Sequence, residues 1–596
     1  MRQNNISSWS YDKSLSSMLF FAERLDELLF HHSMDTYRYD ALSIRSLSFE
    51  YCTVYQDVKS GLLNKKNLDY ILEEFVVNLK SDDIAKEILS EEYVQYFFKH
   101  YKSWSTKEQY QNLKFVLKKL SNKIYLKHVI THLKQLIIGN KKKRDIDRLS
   151  ASLVRELLDC GYNENYIYQN LHDVFFHQVV SSTSSLDKFF DCFSFEQHKY
   201  DVYIGYSADI SSLLPLFEKI GIPDLNVSIL DKASVPTGIK TRKIRTILKF
   251  EGIESYDMYS AFQIADNISA CVVNSYSFYR HDSQTILTYG QVSDEKHNIT
   301  TIKRQNLLKH RVSALSREES TKNADSLVKV HFSSFENLNN FSRITRIHNS
   351  AVCSDNVSDS ILSLWSLLEL IVGSNNDTIE NNSIDNEKER SKINNVISCT
   401  IPYLKAAYIQ KLVYTCMLDI KRWDKNFFDS VISNNGFGKN ELEHMFAFLT
   451  FSNLQPDRDK LYAATEKYPL LKNRVCVLSE NLMESTHLKD LLNRHIERVT
   501  WHLFRIYRAR NYIIHDANNN EFLNQELVIN LHSYVDTVIA GIIEQINNSP
   551  FNDEIHDATI SRKLKCLIMD EQLDTQENEK ITSKNALRYL YYDFEQ

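Results

Sequence analysis

The sequence contains little glycine or proline and no long apolar run. Only 12 glycines and 7 prolines occur in 596 residues. Residues that break helices or form turns are therefore scarce, which favours a mainly α-helical chain. No stretch of about 18 consecutive apolar residues occurs, so we expect no membrane span and no membrane partner. The first residues are polar and lack the apolar core of a signal peptide.

Paired cysteines and an excess of positive charge are also missing. The nine cysteines are scattered, odd in number, and contain no Cys-x-x-Cys pair. We therefore expect buried free thiols in a reducing cytoplasm rather than disulfides or a zinc site. The net charge is -6, with 71 Lys and Arg against 77 Asp and Glu, which excludes a broadly basic nucleic-acid coat. Any nucleic-acid contact must come from a local patch that meets few phosphates.

The chain is long enough for roughly three or four domains, and its 43% hydrophobic content suffices for packed cores. Residues 1–195 show helical periodicity. Residues 196–345 contain short segments rich in β-branched residues, which indicate a small mixed α/β module. Residues 346–548 are helical again, and 549–596 form a charged tail, interpreted as a linker with a short terminal helix. We therefore predict a mainly α, multidomain chain with these four parts.

Three helices are well marked within residues 346–548. The segment 359–371, DSILSLWSLLELI, is apolar nearly all round and predicts a helix buried on most faces. Glu369 inside it would need a cationic partner or several hydrogen bonds. A long helix over 486–515 carries one apolar stripe, and an amphipathic helix follows over 524–546.

The densest group of phosphate-binding and proton-transferring side chains lies at the end of the long helix, in WHLFRIYRARNYIIHDA. Within about three helical turns it contains Arg505, Arg508, Arg510, Asn511 and His515. Asn511 and His515 are four residues apart and share a face. Arg510 and His515 are separated by about 140° around the helix axis. A second copy of the helix, crossing at this point, would bring two sets of these side chains into one cleft.

These residue types suit RNA cleavage by the substrate's own 2′-hydroxyl group. Histidine titrates near neutral pH and can remove a proton from the 2′-hydroxyl or deliver one to the leaving oxygen. Arginine presents a planar fork of donors to phosphate oxygens and stays charged. This chemistry needs no metal and no other cofactor. The structural alternative is an arginine that bridges core helices, with His515 favoured by the dipole at the helix C-terminus.

The hexapeptide RNYIIH, Arg510 to His515, resembles the Arg-(polar)-x3-His motif of the HEPN superfamily of ribonucleases. The segment LWSLLELI, 364–371, is similar to the first core helix of the ApeA-like HEPN branch, which carries an LW-x-x-LE pattern. The resemblance covers residues 346–548. It implies a helical bundle that forms a homodimer with the two motifs facing each other, and metal-independent endoribonuclease activity.

The resemblance also implies roles for single residues. Arg510 and His515 would be the catalytic pair, Asn511 the polar residue of the motif, and Glu369 the acid that holds the arginine. Arg505 and Arg508, on the approach to the motif, are expected to extend the RNA-binding surface.

The biological setting also follows from the resemblance, because members of the family often act in anti-phage defence or toxin systems. We expect a cytoplasmic enzyme that cleaves single-stranded or loop RNA, with tRNA as one candidate target. The N-terminal parts would sense a phage-derived trigger or hold the nuclease inactive, and a neutralising partner could control it. The alternative is a catalytically inactive HEPN scaffold or a regulatory subunit that binds RNA or a partner. The intact Arg, Asn and His argue against that alternative.

The spacing Arg-x4–6-His also occurs elsewhere, as expected of a short pattern. The other pairs are Arg24/His31, Arg304/His310 and Arg343/His348. None combines a polar residue directly after the arginine with a long amphipathic helix before it and a closing helix after it. In RITRIH, Ile344 takes the polar position, so this segment is predicted to lead into the bundle.

Overall fold

The computed structural model describes most of the chain. The described residues are 6, 9, 12–29, 42–140, 142–219, 225–230, 244–280, 286–303, 308, 317–331, 335–354, 356–373, 385–515, 521–548, 555–576 and 578–593. Helices dominate among them, and the strands fall between residues 198 and 303. The chain is mainly α and multidomain with one small β-sheet, which confirms the predicted fold class.

Helices and strands are numbered in chain order. The helices are α1 Ser16–Leu29, α2 Ile44–Ser60, α3 Lys66–Ser81, α4 Asp83–Leu89, α5 Glu91–His100, α6 Thr106–Lys119, α7 Asn122–Ile138, α8 Lys143–Asp159, α9 Glu164–Phe175, α10 Ser184–Phe190, α11 Leu214–Glu218, α12 Met258–Arg280, α13 Arg317–His331, α14 Phe335–Cys353, α15 Val357–Gly373, α16 Asp385–Trp423, α17 Lys425–Phe427, α18 Glu441–Thr450, α19 Gln455–Ala464, α20 Pro469–Leu482, α21 Ser485–His515, α22 Glu521–Asn548, α23 Ile555–Thr575 and α24 Ala586–Tyr591. The strands are β1 His198–Tyr206, β2 Asn226–Leu230, β3 Thr246–Ser255, β4 Ile286–Ser293 and β5 Ile299–Lys303.

The described residues divide into two compact units. The first unit takes in His31–Leu117 and Asn306–Gln596, and the second takes in Asn4–Phe30 and Lys118–Gln305. The boundaries predicted at residues 195, 345 and 548 do not coincide with this division. Periodicity identifies single helices, but it does not indicate that helices from both ends of the chain pack in one unit.

The second unit contains the small mixed module. Its five strands form one antiparallel sheet in the order β2-β3-β1-β4-β5. Helix α12 packs against the sheet, and Phe262 lies in their shared core. A Cβ on Gly290 of β4 would lie 2.7 Å from the ring of Phe262 and 2.5 Å from the carbonyl oxygen of Tyr203. Glycine therefore allows the helix to approach this strand closely.

In the first unit, the C-terminal helices pack around two clusters of buried hydrophobic residues, and the first of them is the core of a bundle that includes α15, α21 and α22. Helix α15 is apolar nearly all round, as predicted, and Trp365 and Leu368 within it are almost fully buried. Helices α21 and α22 supply Ile506 and Leu531 to the same core. Helix α21 matches the predicted helix over 486–515 closely, because its apolar stripe persists over many turns.

The N-terminal part of the first unit contains helices α2 and α3. Helix α2 begins after Ser43, whose hydroxyl oxygen accepts a hydrogen bond from the backbone N–H of Ser46 at 3.1 Å. It ends at Gly61, which has φ of +84° and caps the last turn in the left-handed conformation. Helix α3 packs against both α2 and α21.

The described part of the predicted tail, 555–576 and 578–593, contributes to the second hydrophobic cluster of the first unit. Its two helices, α23 and α24, pack against α16, and Met569 and Tyr589 are fully buried. Their apolar positions are interspersed with many charged residues, so composition alone suggested a linker. Residues 373–390 are rich in Asn, Asp and Glu, a composition that predicts an exposed loop. This segment lies mostly outside the described residues, but α16 begins at Asp385, so the loop prediction is wrong for residues 385–390.

Helix α22 is the one helix among the described residues that is long and apolar enough to cross a membrane by length and composition, over Glu526–Asn547. Its mean hydropathy there is 1.3. Val535 and Val538 of this helix are buried in the bundle core. Packing within the structure buries 44% of the most apolar part of this stretch.

All nine cysteines are free thiols, as predicted. Their predicted burial is correct only for Cys399, Cys416 and Cys566, and the other six are partly or fully exposed.

Candidate active site

Arg510 and Asn511 lie in the last turns of α21, which ends at His515. The Arg510 Nη1 atom donates a hydrogen bond to Asn511 Oδ1 at 3.1 Å, and both side chains are half-buried. Within the described part of the chain, no carboxylate forms an ion pair with Arg510. Its guanidinium group therefore keeps donors for an anionic ligand. The side chain of His515 lies outside the described residues.

Glu369 lies on α15 and accepts a hydrogen bond from Trp365, one turn earlier on the same helix, at 2.8 Å. The indole ring of Trp365 also packs against Tyr507 of α21, with ring centroids 5.7 Å apart. Trp365 thus connects Glu369 to the helix that carries the motif. Among the described residues, no hydrogen bond or ion pair joins Glu369 to Arg510. The role of Glu369 as the acid that holds Arg510 stays a prediction.

Arg505 and Arg508 are buried and paired with carboxylates of the N-terminal helices. Arg505 Nη2 lies 3.0 Å from Glu50 Oε2 and 2.5 Å from Glu74 Oε2, and Arg508 Nη2 lies 2.6 Å from Glu50 Oε1. The two arginines are only 8% and 2% exposed. An RNA phosphate would have to displace these carboxylates. The structure therefore corrects the expectation that Arg505 and Arg508 bind RNA: they join α21 to α2 and α3.

Burial and charge act in opposite directions on the two glutamates. Burial favours a higher pKa for Glu50, but the guanidinium groups of Arg505 and Arg508 outweigh it and lower the pKa to about 2. Burial raises the pKa of Glu74, and the nearby charge of Glu50 raises it further against the opposing effect of Arg505. Glu50 is therefore the carboxylate that the arginines keep ionised.

Besides the contacts of Glu50 with Arg505 and Arg508, a third contact between α2 and α21 lies C-terminal to Arg510. The hydroxyl group of Tyr512 donates a hydrogen bond to Asp57 Oδ2 at 2.5 Å. Burial and the carboxylate of Asp57 raise the pKa of Tyr512 above its ordinary value. Arg510 thus lies within a segment that is fixed to the N-terminal helices both before and after it.

His502, two turns before Arg510, is a buried histidine that lies 3.1 Å from the hydroxyl group of Tyr534 on α22. Burial lowers the pKa of His502 to about 3, and the positive charge of Arg505 acts in the same direction. An imidazole with this pKa stays neutral at pH 7 and is a poor proton donor. His502 therefore does not replace His515 as the candidate catalytic histidine.

The carboxylates around α21 were not indicated by the sequence. Glu50 and Glu74 are 431 to 458 residues away from the arginines they contact. Acidic residues on amphipathic N-terminal helices are ordinarily solvated, and no local pattern distinguishes these two.

The other Arg/His pairs do not form a comparable site in the described residues. His31, Arg304 and His310 lie outside those residues. In the remaining pair, Ile344 is buried in the bundle, as predicted, and His348 Nε2 lies 2.9 Å from Asp536 Oδ1 of α22.

Comparison of the chain with models of known protein families, with curated proteins and with solved structures found no match.

Proposed function

We propose that the chain is a metal-independent endoribonuclease of the HEPN type, with Arg510 and His515 as the catalytic pair and Asn511 as the polar residue of the motif. One observation carries the proposal. Two of the three arginines near the end of α21 are paired with carboxylates of α2 and α3. Arg510 is only half-buried, contacts Asn511, and has no ion-pair partner among the described residues. Such an arginine can bind a phosphate without first losing a carboxylate.

The proposed reaction forms one bond and breaks another at the same phosphorus. The 2′-oxygen attacks the phosphorus while a base removes its proton, and the bond from phosphorus to the 5′-oxygen breaks as that oxygen receives a proton. The products carry a 2′,3′-cyclic phosphate, which water can open to a 3′-phosphate, and a 5′-hydroxyl. An imidazole can fill either proton-transfer role. Arg510 would stabilise the negative charge that develops on the phosphate oxygens.

Within one chain, Arg510 and His515 do not face the same side of α21, and a homodimer would bring an arginine and a histidine together. Arg510 and His515 are about 7.5 Å apart along the axis and about 140° apart around it, as the geometry of a continuous helix requires. A second copy with its motif facing the first would supply an arginine and an imidazole from opposite sides. It would also provide two histidines, one as the base and one as the acid.

The proposed substrate is single-stranded or loop RNA, and tRNA is one candidate. Arg505 and Arg508 are occupied by Glu50 and Glu74, so few phosphates would be contacted. A site of this kind agrees with a net charge of -6. The links from α2 and α3 to α21 support a regulatory role for the N-terminal part in an anti-phage or toxin setting.

Expression in cells, with and without phage infection, tests the proposal. Wild type should slow growth and create RNA ends with 2′,3′-cyclic phosphate and 5′-hydroxyl groups, detected by sequencing RNA ends. His515→Ala should lose both effects. The matched control is His487→Ala, which removes an exposed histidine earlier on α21 and should behave like wild type. Equal growth and equal RNA ends for wild type and His515→Ala would favour the non-catalytic binding subunit.

A further inference from the structure

A second cluster of chemically active side chains lies in the first unit, on helices other than α21. His348 of α14 approaches His532 and Asp536 of α22, which are four residues apart on one helix face. His348 Nε2 lies 2.9 Å from Asp536 Oδ1, and His532 Nδ1 lies 3.3 Å from Asp536 Oδ2. One potential ligand atom from each of the three residues lies within 4.8 Å of the other two.

Hydrogen bonding does not account for the position of His532. The residue is only 6% exposed, and its Nε2 atom is buried without a hydrogen-bond partner among the described residues. Its Nδ1 atom approaches Asp536 at ion-pair distance, and no residue in the described part of the chain forms a hydrogen bond with it. An ion bound at Nδ1 would satisfy that nitrogen, whereas Nε2 would carry the proton and would take no part in the site. A buried imidazole that points one nitrogen at a carboxylate without such a bond is suited to sharing a cation with it.

We propose that His348, His532 and Asp536 bind a divalent transition-metal ion, and that zinc fits this set best. Two imidazole nitrogens and one carboxylate oxygen are a common three-residue zinc set, with water as the fourth ligand. Ligand atoms about 2.1 Å from a tetrahedral zinc ion lie about 3.4 Å apart. The separations of 2.9 and 3.3 Å run to the two different oxygens of Asp536, and one atom from each residue lies within 4.8 Å of the other two. A small rotation of the carboxylate would bring one oxygen to the ligand position. Magnesium and calcium prefer oxygen ligands, so the two imidazoles disfavour them.

Solvent access also fits this assignment. The side chain of Asp536 is 44% exposed and that of His348 is 27% exposed, so an ion and its water ligand can reach the buried His532 from that side. The bound ion would fasten α14 to α22, two helices that belong to the bundle core. Its expected role is to stabilise this packing.

The metal site is independent of the proposed RNA cleavage. None of its three ligands lies on α21, and the cleavage chemistry assigned to Arg510 and His515 uses no metal. A chain that binds zinc but cuts no RNA would contradict the nuclease proposal and leave this inference intact. A chain that cuts RNA but binds no zinc would contradict this inference and leave the nuclease proposal intact.

Metal binding to the full-length chain tests the inference. After the chain has been treated with a chelator and dialysed, a calorimetric titration with zinc should show one zinc ion bound per chain. Elemental analysis of the zinc-loaded chain should find the same ratio. His348→Ala and Asp536→Asn should each weaken zinc binding by at least about tenfold. His487→Ala, which removes an exposed histidine outside the cluster, is the matched control and should bind zinc as wild type does.

Cobalt provides a second measurement that requires no substitution. Wild-type chain loaded with one equivalent of Co²⁺ should show the strong visible absorption of a four-coordinate ion, and excess zinc should remove it. Wild type that takes up neither zinc nor cobalt would overturn the inference. A folded His348→Ala chain, verified by circular dichroism, that binds zinc as tightly as wild type would also overturn it.

Discussion

Replacing Glu50 by glutamine should loosen the connection between α2 and α21. Glu50 accepts hydrogen bonds from both Arg505 and Arg508. Its loss leaves Arg505 with Glu74 alone and removes the carboxylate that Arg508 contacts. Lowering the pKa of a carboxyl from 4.5 to about 2 corresponds to roughly 3 kcal/mol of stabilisation at neutral pH. Breaking a buried ion pair by removing one partner destabilises a protein by a similar amount, about 3–5 kcal/mol. We therefore expect Glu50→Gln to lower the local opening free energy by about 3 kcal/mol.

Hydrogen exchange at the amides of α2 and the second half of α21 measures this quantity at pH 7. A loss of this size should accelerate exchange there by about 100-fold. The matched control is Glu497→Gln, an exposed glutamate on α21, which should change the opening free energy by less than about 0.5 kcal/mol. Adding Arg508→Gln to Glu50→Gln should recover part of the loss, because one unpaired charge is removed. Equal exchange in Glu50→Gln and Glu497→Gln would refute the reasoning.

Three further predictions concern the same unit. Burial lowers the pKa values of His495 and His502 to about 3 each. As pH falls, both histidines are therefore protonated in the unfolded chain before they are protonated in the folded chain, and the folded chain loses stability between about pH 6.5 and pH 3. Between pH 7 and pH 5, each histidine should reduce the free energy of unfolding by about 2 kcal/mol, and urea unfolding of His495→Gln and His502→Gln should show a correspondingly weaker pH dependence. Gly541→Ala in α22 would place a Cβ 2.5 Å from the ring of Tyr403. The substitution usually stabilises a helix, but here it should lower the free energy of unfolding by about 1–3 kcal/mol. A raised urea midpoint would contradict this packing. Glu369→Gln keeps an oxygen that can accept the hydrogen bond from Trp365, so the free energy of unfolding should change by less than about 0.5 kcal/mol. If the carboxylate positions Arg510, the rate of RNA cleavage should fall by about tenfold or more. Unchanged cleavage would show that Glu369 does not belong to the site.

Long periodic segments were predictable from the sequence because their signal is repeated over many turns. The predicted helix over 486–515 corresponds to α21, Ser485–His515, and the one predicted over 524–546 corresponds to α22, Glu521–Asn548. The small mixed module was also recognisable from its β-branched segments, and it contains a five-stranded sheet.

Packing partners far apart in the sequence were not predictable. A run of RxxRxR gives no indication that Arg505 and Arg508 are buried against Glu50 and Glu74 while Arg510 is left without a carboxylate in the described part of the chain. Local patterns specify which face of a helix is apolar. They do not specify which distant helix covers that face, so Arg505 and Arg508 were expected on an RNA-binding surface, whereas the structure buries both.

The most direct test of the central claim is cleavage of a single-stranded RNA by the purified chain in EDTA, with products identified by mass spectrometry. Wild type, with folding in EDTA verified by circular dichroism, should give 2′,3′-cyclic phosphate ends and should leave a DNA of the same sequence intact. Arg510→Ala and His515→Ala should abolish cleavage, while Arg494→Ala and His487→Ala, exposed positions on the same helix, should retain it. Cleavage that persists in His515→Ala, or that a folded wild-type chain loses in EDTA, would contradict the account.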